Sequence, residues 1–201
     1  IQYLAGVQLA LGSTSNLYIR GGYPDQNLIT LDGMTLYQTS HMFGFLSSIS
    51  KEAIKDVQIF KGHIPANFGG RTSSVIELMS RSGNNYKYGG SLYGNLLSSG
   101  ISAEIPILEK GSAIVNFRKS RPSNQFSKVY ESIEKYITVD NKFNLITETG
   151  EQNINQNTEY DLFSSYEDFF NRFSYLINSK HRATFTLISS SDSIFEDRSY
   201  Y

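Results

Sequence analysis

Side chains able to do chemistry are spread thinly along this chain. His41, His63 and His181 are far apart and lack the spacing of metal ligands. Asp25, Asp32 and Asp56 fall at turns or element ends, where Asp serves the backbone. The Gly pairs in "IRGG" (Ile19 to Gly22) and "FGGR" (Phe68 to Arg71) lack the Gly-x-x-x-x-Gly-Lys spacing of a phosphate loop. No serine sits in a Gly-x-Ser-x-Gly elbow. With no cysteine there is no thiolate nucleophile, thiolate metal site or disulfide. The expectation is a protein that is not an enzyme, with no catalytic residues, metal or cofactor. What remains is chemistry of contact. Arg20, Arg71 and Glu77 are charges on well-patterned strands. "YQTSHMFGF" brings together Tyr37, His41, Met42 and Phe43, aromatic and adaptable side chains suited to touching a ligand, with plain packing of Phe43 and Phe45 under the loop as the competing reading.

The elements that position these residues fall into two halves. In residues 1 to 85, "LYIRGG" reads as a short strand entering a turn at Gly21 and Gly22. "LITLDGMTLY" is a hairpin about Asp32-Gly33. Ser50 N-caps a predicted two-turn helix in "SKEAIKD". "VQIFKG" is a strand ending at Gly62, and a turn at Gly69-Gly70 leads into a strand with Val75, Glu77 and Met79 on one side and Ile76 and Leu78 on the other. The order is β-ββ-α-β-β. From residue 86 onward, alternation of period two takes over. Leu92, Gly94 and Leu96 share a face; so do Ile101, Ala103 and Ile105; Ala113, Val115 and Phe117; Phe169, Phe173, Tyr175 and Ile177; and Ala183, Phe185 and Leu187. Connections alternate between short (Ser98 to Gly100, Leu108 to Gly111, Asn178 to His181) and long (120 to 165), as in a membrane β-barrel. A short amphipathic helix is expected in "FSKVYESIEKYI". The Tyr and Phe residues of this half suit an apolar outer band with interfacial girdles, or an ordinary sandwich core.

Bulk composition narrows the function classes. Aromatics at 13% and charged residues at only 18% argue against disorder. A net charge of -1 gives no electrostatic case for nucleic acid. No apolar run is long enough for a membrane-spanning helix. The opening "IQYLAGVQLALGS" lacks a signal peptide's basic start and reads as the middle of a domain, so an N-terminally truncated unit is expected. Five or six strands cannot close a barrel, which takes about eight, and an open edge in lipid is costly. The rest of a barrel is therefore expected beyond Tyr201 or from a partner.

In combination these residues resemble the plug domain of TonB-dependent outer-membrane receptors. The resemblance is carried by Arg20-Gly21-Gly22, "NLITLDG" (Asn27 to Gly33), "IKDVQIFKG" (Ile54 to Gly62) and "FGGRTSSVIELMSRSG" (Phe68 to Gly83), in the family's order. "LAGVQ" (Leu4 to Gln8) looks like the segment upstream, and the run from Gly89 to Ser120 like the start of the barrel. The fold class implied is an α+β plug domain, 1–85, followed by antiparallel transmembrane β-barrel strands, 86–201, an incomplete part of a barrel of about 22 strands. The function implied is binding of an external ligand and its import by TonB-driven movement of the plug, in the outer membrane of a Gram-negative bacterium. The implied partners are TonB, through a box not found in this sequence; an extracellular small ligand, glycan or peptide; outer-membrane lipid; and a surface lipoprotein. No nucleic acid is implied. Arg20, Gly21, Gly22, Arg71 and Glu77 would anchor plug to barrel by ion pairs, and Tyr37, His41, Met42 and Phe43 would face the ligand. Two alternatives stand beside this: a plug-barrel signalling or assembly component without transport, and a soluble ligand-binding α+β module.

Overall fold

The computed structural model describes residues 3–9, 16–41, 44, 46–95, 97–120 and 159–199, the last stretch with side chains from 165 to 193. Met42, Phe43, Phe45 and the helix expected in "FSKVYESIEKYI" lie outside the described residues.

The hairpin at Asp32-Gly33 forms as its sequence dictates. Asp32 and Gly33 adopt φ values of 50° and 83°, the left-handed pair that lets a two-residue turn match strand twist. It joins β3 (Asn27–Leu31) to β4 (Met34–Thr35). β7 (Ile54–Phe60) and β8 (Ser74–Ser80) complete a sheet in the order β4-β3-β8-β7, with β3 and β8 parallel. Two small pairs flank it: β1 (Val7–Leu9) with β2 (Leu17–Ile19), and β5 (Ser40–His41) with β6 (Leu46–Ser47). We call the last pair and its flanks the β5–β6 arm.

The expected helix in "SKEAIKD" does not form. A 3-10 turn covers Lys51–Ala53, and the chain is already strand at Ile54. Helix propensity over two turns is worth little, whereas Ile54, Val57 and Ile59 pair along β8 and pack on the core. Among the described residues helical structure is limited to short 3-10 turns, so this unit is mostly β rather than α+β.

The second half is an antiparallel meander in the order β13-β12-β11-β10-β9. Its strands are β9 (Gly89–Gly94), β10 (Ser98–Ile107), β11 (Gly111–Ser120), β12 (Glu159–Asn178) and β13 (His181–Ser199). Ser98 to Gly100, expected as a connection, belong to β10, and the turn lies just before them. The expected 120–165 loop is shortened because β12 begins at Glu159, paired with Ser199.

Register sets the two faces. Ile101 pairs Phe117, which pairs Phe169, and this row, with Ile105, Phe173, Phe185 and Leu187, points away from the N-terminal unit. Those side chains are exposed except for the half-buried Phe169, with Phe185 at 60%. The opposite face carries Ser102, Ser112, Ile114, Asn116, Tyr166, Asp168 and Phe170, all buried against the N-terminal unit. Ile114 and Phe170 join Val7, Ile19, Leu31, Ala53, Ile76 and Leu78 in one apolar cluster, so the two halves share a core.

Candidate functional site

The described residues offer no group of three or more His, Cys, Asp or Glu side chains that could hold a metal ion. The chemistry of this molecule is concentrated where the N-terminal unit meets the inner face of the strand sheet, in two charged pins.

The first pin is built on the β3–β4 turn. The Asp32 carboxylate accepts the Ser80 N–H at 2.9 Å and the Ser80 hydroxyl. Arg172, on the inner face of β12, donates to the same carboxylate and to the Ser80 hydroxyl oxygen. Burial opposes ionisation of Asp32, but the Ser80 hydrogen bonds and the Arg172 charge outweigh it and hold its carboxyl below the usual range.

The second pin is built on the β5–β6 arm. The His41 ring is fully enclosed, with Nδ1 2.6 Å from Asp192 Oδ1 and Nε2 2.7 Å from Asp168 Oδ1. It stacks on Tyr166, with ring centroids 4.2 Å apart. Arg118 donates from Nε to Asp168 Oδ2 at 2.8 Å and from Nη2 to the Ser47 carbonyl at 2.6 Å, so it touches both sheet and arm. Asp168 is only 6% exposed, which makes it the most deeply placed carboxylate of the interface.

Weaker ties complete the contact. Arg81, just after β8, pairs with Glu104, Ser50 Oγ lies 3.2 Å from the Tyr93 hydroxyl, and Tyr93 donates to Asn116 at 2.7 Å. The fit is close. A cavity lined by Leu31, Ser48, Ile49, Ala53, Asn116 and Phe170 measures about 20 Å³. Gly83 runs so near β11 that a Cβ would sit 2.8 Å from the Ala113 carbonyl oxygen. Gly83→Val is therefore expected to push the connection off β11 at a cost of about 1–2 kcal/mol, read as a lower urea midpoint for release of residues 1–83 from the sheet in the full-length protein.

The residues singled out from the sequence are placed differently. Arg20 (φ 51°) donates to the Lys61 carbonyl at 2.9 Å, within the N-terminal unit rather than to a carboxylate of the sheet. With Gly21 and Gly22 it lines an open basin shared with Lys61 and His63. Arg71 is exposed, and neither it nor Glu77 forms an ion pair among the described residues. Tyr37 is 86% exposed and open to a ligand; His41 is enclosed and committed to two aspartates. Asp32, read as a turn residue, is also the acceptor of the first pin. Arg118, Asp168, Arg172 and Asp192 were missed as anchors. Their signal was a charge on the inward side of a strand whose outward side is apolar, as with Arg118 and Arg172.

The arrangement is a mostly β unit seated by polar pins against the inner face of an antiparallel sheet whose outer face is apolar. Residues 1–75 match the family model of the TonB-dependent receptor plug domain, which supports a TonB-dependent receptor-type protein. No curated protein matches the chain at a significant level.

Proposed function

We propose that this chain is the plug and first barrel strands of an outer-membrane receptor, which binds an external ligand and admits it when TonB displaces the plug. The observation that carries this is the sorting of the meander's two faces. On β12 the outward face from Phe169 to Ile177, apolar except at Asn171, spans roughly 26 Å along the strand at about 3.3 Å per residue, close to the apolar band of about 25 Å in outer-membrane barrels. Beyond it the outward face turns polar, with Lys119 and Glu167 paired at 2.5 Å. At the other end Tyr86 and Tyr88 are 73% and 79% exposed, in keeping with an interfacial girdle. A lipid-facing exterior and a polar interior holding a plug suit a gated pore.

The short turns after β10 and β12 lie at one end; the other end carries the short β9–β10 turn and the long 121–158 connection. Periplasmic turns are short and extracellular loops long, which directs the His41 pin outward. The polar interface supports movement. Contacts of this kind resemble transient interfaces rather than obligate ones.

Phe173→Lys, at the middle of the apolar run, is expected to cost about 2 kcal/mol in a bilayer, measured as a lower urea midpoint of the full-length protein in lipid; an unchanged midpoint would count against a lipid-facing β12. For transport, strains lacking this protein and strains lacking TonB are compared across a panel of scarce iron chelates, cobalamins, glycans and peptides. A shared loss of uptake for one compound class supports import. Loss of this protein without any uptake defect, alongside a change in gene expression, would replace import with signalling.

A further inference from the structure

We infer that His41 is a proton-held latch: an imidazolium shared between Asp168 and Asp192 fastens the β5–β6 arm to the strands, and loss of its proton releases the arm. The inference rests on the plug reading above.

A neutral imidazole carries one N–H and one lone pair, yet both ring nitrogens of His41 lie within 2.7 Å of a carboxylate oxygen. A neutral ring would aim a lone pair at one of them. The carboxylates do not supply the missing proton, because a carboxylic acid is a much stronger acid than an imidazolium and gives its proton to the ring. The carboxylate oxygens accept from other donors as well. Asp168 Oδ1 takes the Ser190 hydroxyl at 2.8 Å and Oδ2 takes Arg118 Nε. Asp192 Oδ2 takes the Gln38 amide at 3.4 Å. Both bridging protons therefore belong to His41.

Charge closes the same way. The groups facing His41 are Asp168 and Tyr166 from β12 and Asp192 from β13, with Arg118 of β11 reaching Asp168. His41 and Arg118 as cations balance the two aspartates. Removing the ring proton leaves one uncompensated negative charge at an enclosed site, which a poorly solvated interface penalises. Stacking on Tyr166 favours the cationic ring as well. The latch therefore opens on the alkaline side.

The test uses the full-length protein in lipid nanodiscs, with ¹⁵N-histidine spectra and hydrogen exchange of residues 38–48 corrected for intrinsic exchange. Between about pH 6 and 9, both His41 nitrogens are expected to be protonated wherever the arm is protected, and opening is expected to rise at least about ten-fold as the ring proton is lost, the equivalent of about 1.4 kcal/mol. His41→Gln should be open and flat with pH. Asp192→Asn keeps an acceptor for Nδ1 without the charge, so its opening step should move to lower pH; this variant decides the matter if His41→Gln fails to fold. An unprotonated His41 nitrogen in the protected state, or one pH profile for wild type and both variants, overturns the latch. Failure of the plug reading is seen separately, as a protein that fractionates away from the membrane while its histidine spectrum still reports the bridge.

Discussion

Asp168→Ala is expected to undock the β5–β6 arm and to destabilise plug seating by about 3–5 kcal/mol, the range for breaking a buried ion pair by removing one partner. Asp168 receives His41, Arg118 and Ser190 together. Its loss leaves the Arg118 guanidinium and the His41 ring without their acceptor in an enclosed site, and that desolvation cost, rather than the loss of attraction, makes the effect large. Asp168→Asn keeps the volume but turns an N–H toward donors, so it should approach the alanine effect. Arg118→Met should cost less, because Asp168 keeps His41 and Ser190 while the apolar stem is preserved. The check is hydrogen exchange across residues 38–48 in the full-length protein. A loss of protection ordered Ala, Asn, then Met supports a carboxylate hub. Equal protection in all three would mean that the arm is held by backbone pairing alone.

These contacts seat the N-terminal unit through a few directional interactions. The shared apolar cluster is small on the sheet side, where Ile114 and Phe170 are the buried contributors. Seating is left to the pins, which are directional and are lost one at a time. An apolar interface loses free energy gradually with area as it separates, whereas a pin is lost once its partners part by a few ångströms. Separating the two units thus meets a series of discrete releases.

How much of this was legible in the sequence depended on the range of the interaction. The Asp32-Gly33 hairpin is decided by two residues' backbone preferences, and it formed as read. The period-two segments are decided by alternation, so the outward set from Ile101 to Leu187 was placed correctly on one face. The helix at Ser50 failed because its residues are needed by β8, a partner some twenty residues away that propensity does not see. The anchors were the least legible. Arg20, beside its Gly pair, drew attention as an isolated charge in a turn, but it serves a neighbouring loop carbonyl. Asp168 gave no such signal: among Tyr166, Glu167 and Phe169 it is one more strand residue until β5 is folded against it. His41 was noticed for its neighbours in the chain, and its role comes from residues more than 120 positions away.

The Asp32 pin carries the second large effect, and its pH dependence has a definite sign. Asp32→Ala is expected to cost about 3 kcal/mol, through the lost charged hydrogen bonds and the left-handed φ that Ala tolerates poorly. Asp32→Asn accepts that φ and keeps an oxygen for the Ser80 N–H, so its cost should fall to about 2 kcal/mol, the part that belongs to charge. Because folding lowers the Asp32 pKa, its contribution is fully present above the unfolded value near 4 and fades as pH falls through the lower folded value. Wild type and Asp32→Asn should therefore differ most at neutral pH, begin to converge only below about pH 4 and meet below the lower folded value, measured as urea midpoints for plug release with the strands held in detergent. Arg172→Met tests the reciprocal side. Alone it leaves Asp32 with its Ser80 bonds, and in combination with Asp32→Asn it should cost less than the sum of the two. Strict additivity would mean that Asp32 acts only as a turn residue, and that Arg172 approaches it without holding it.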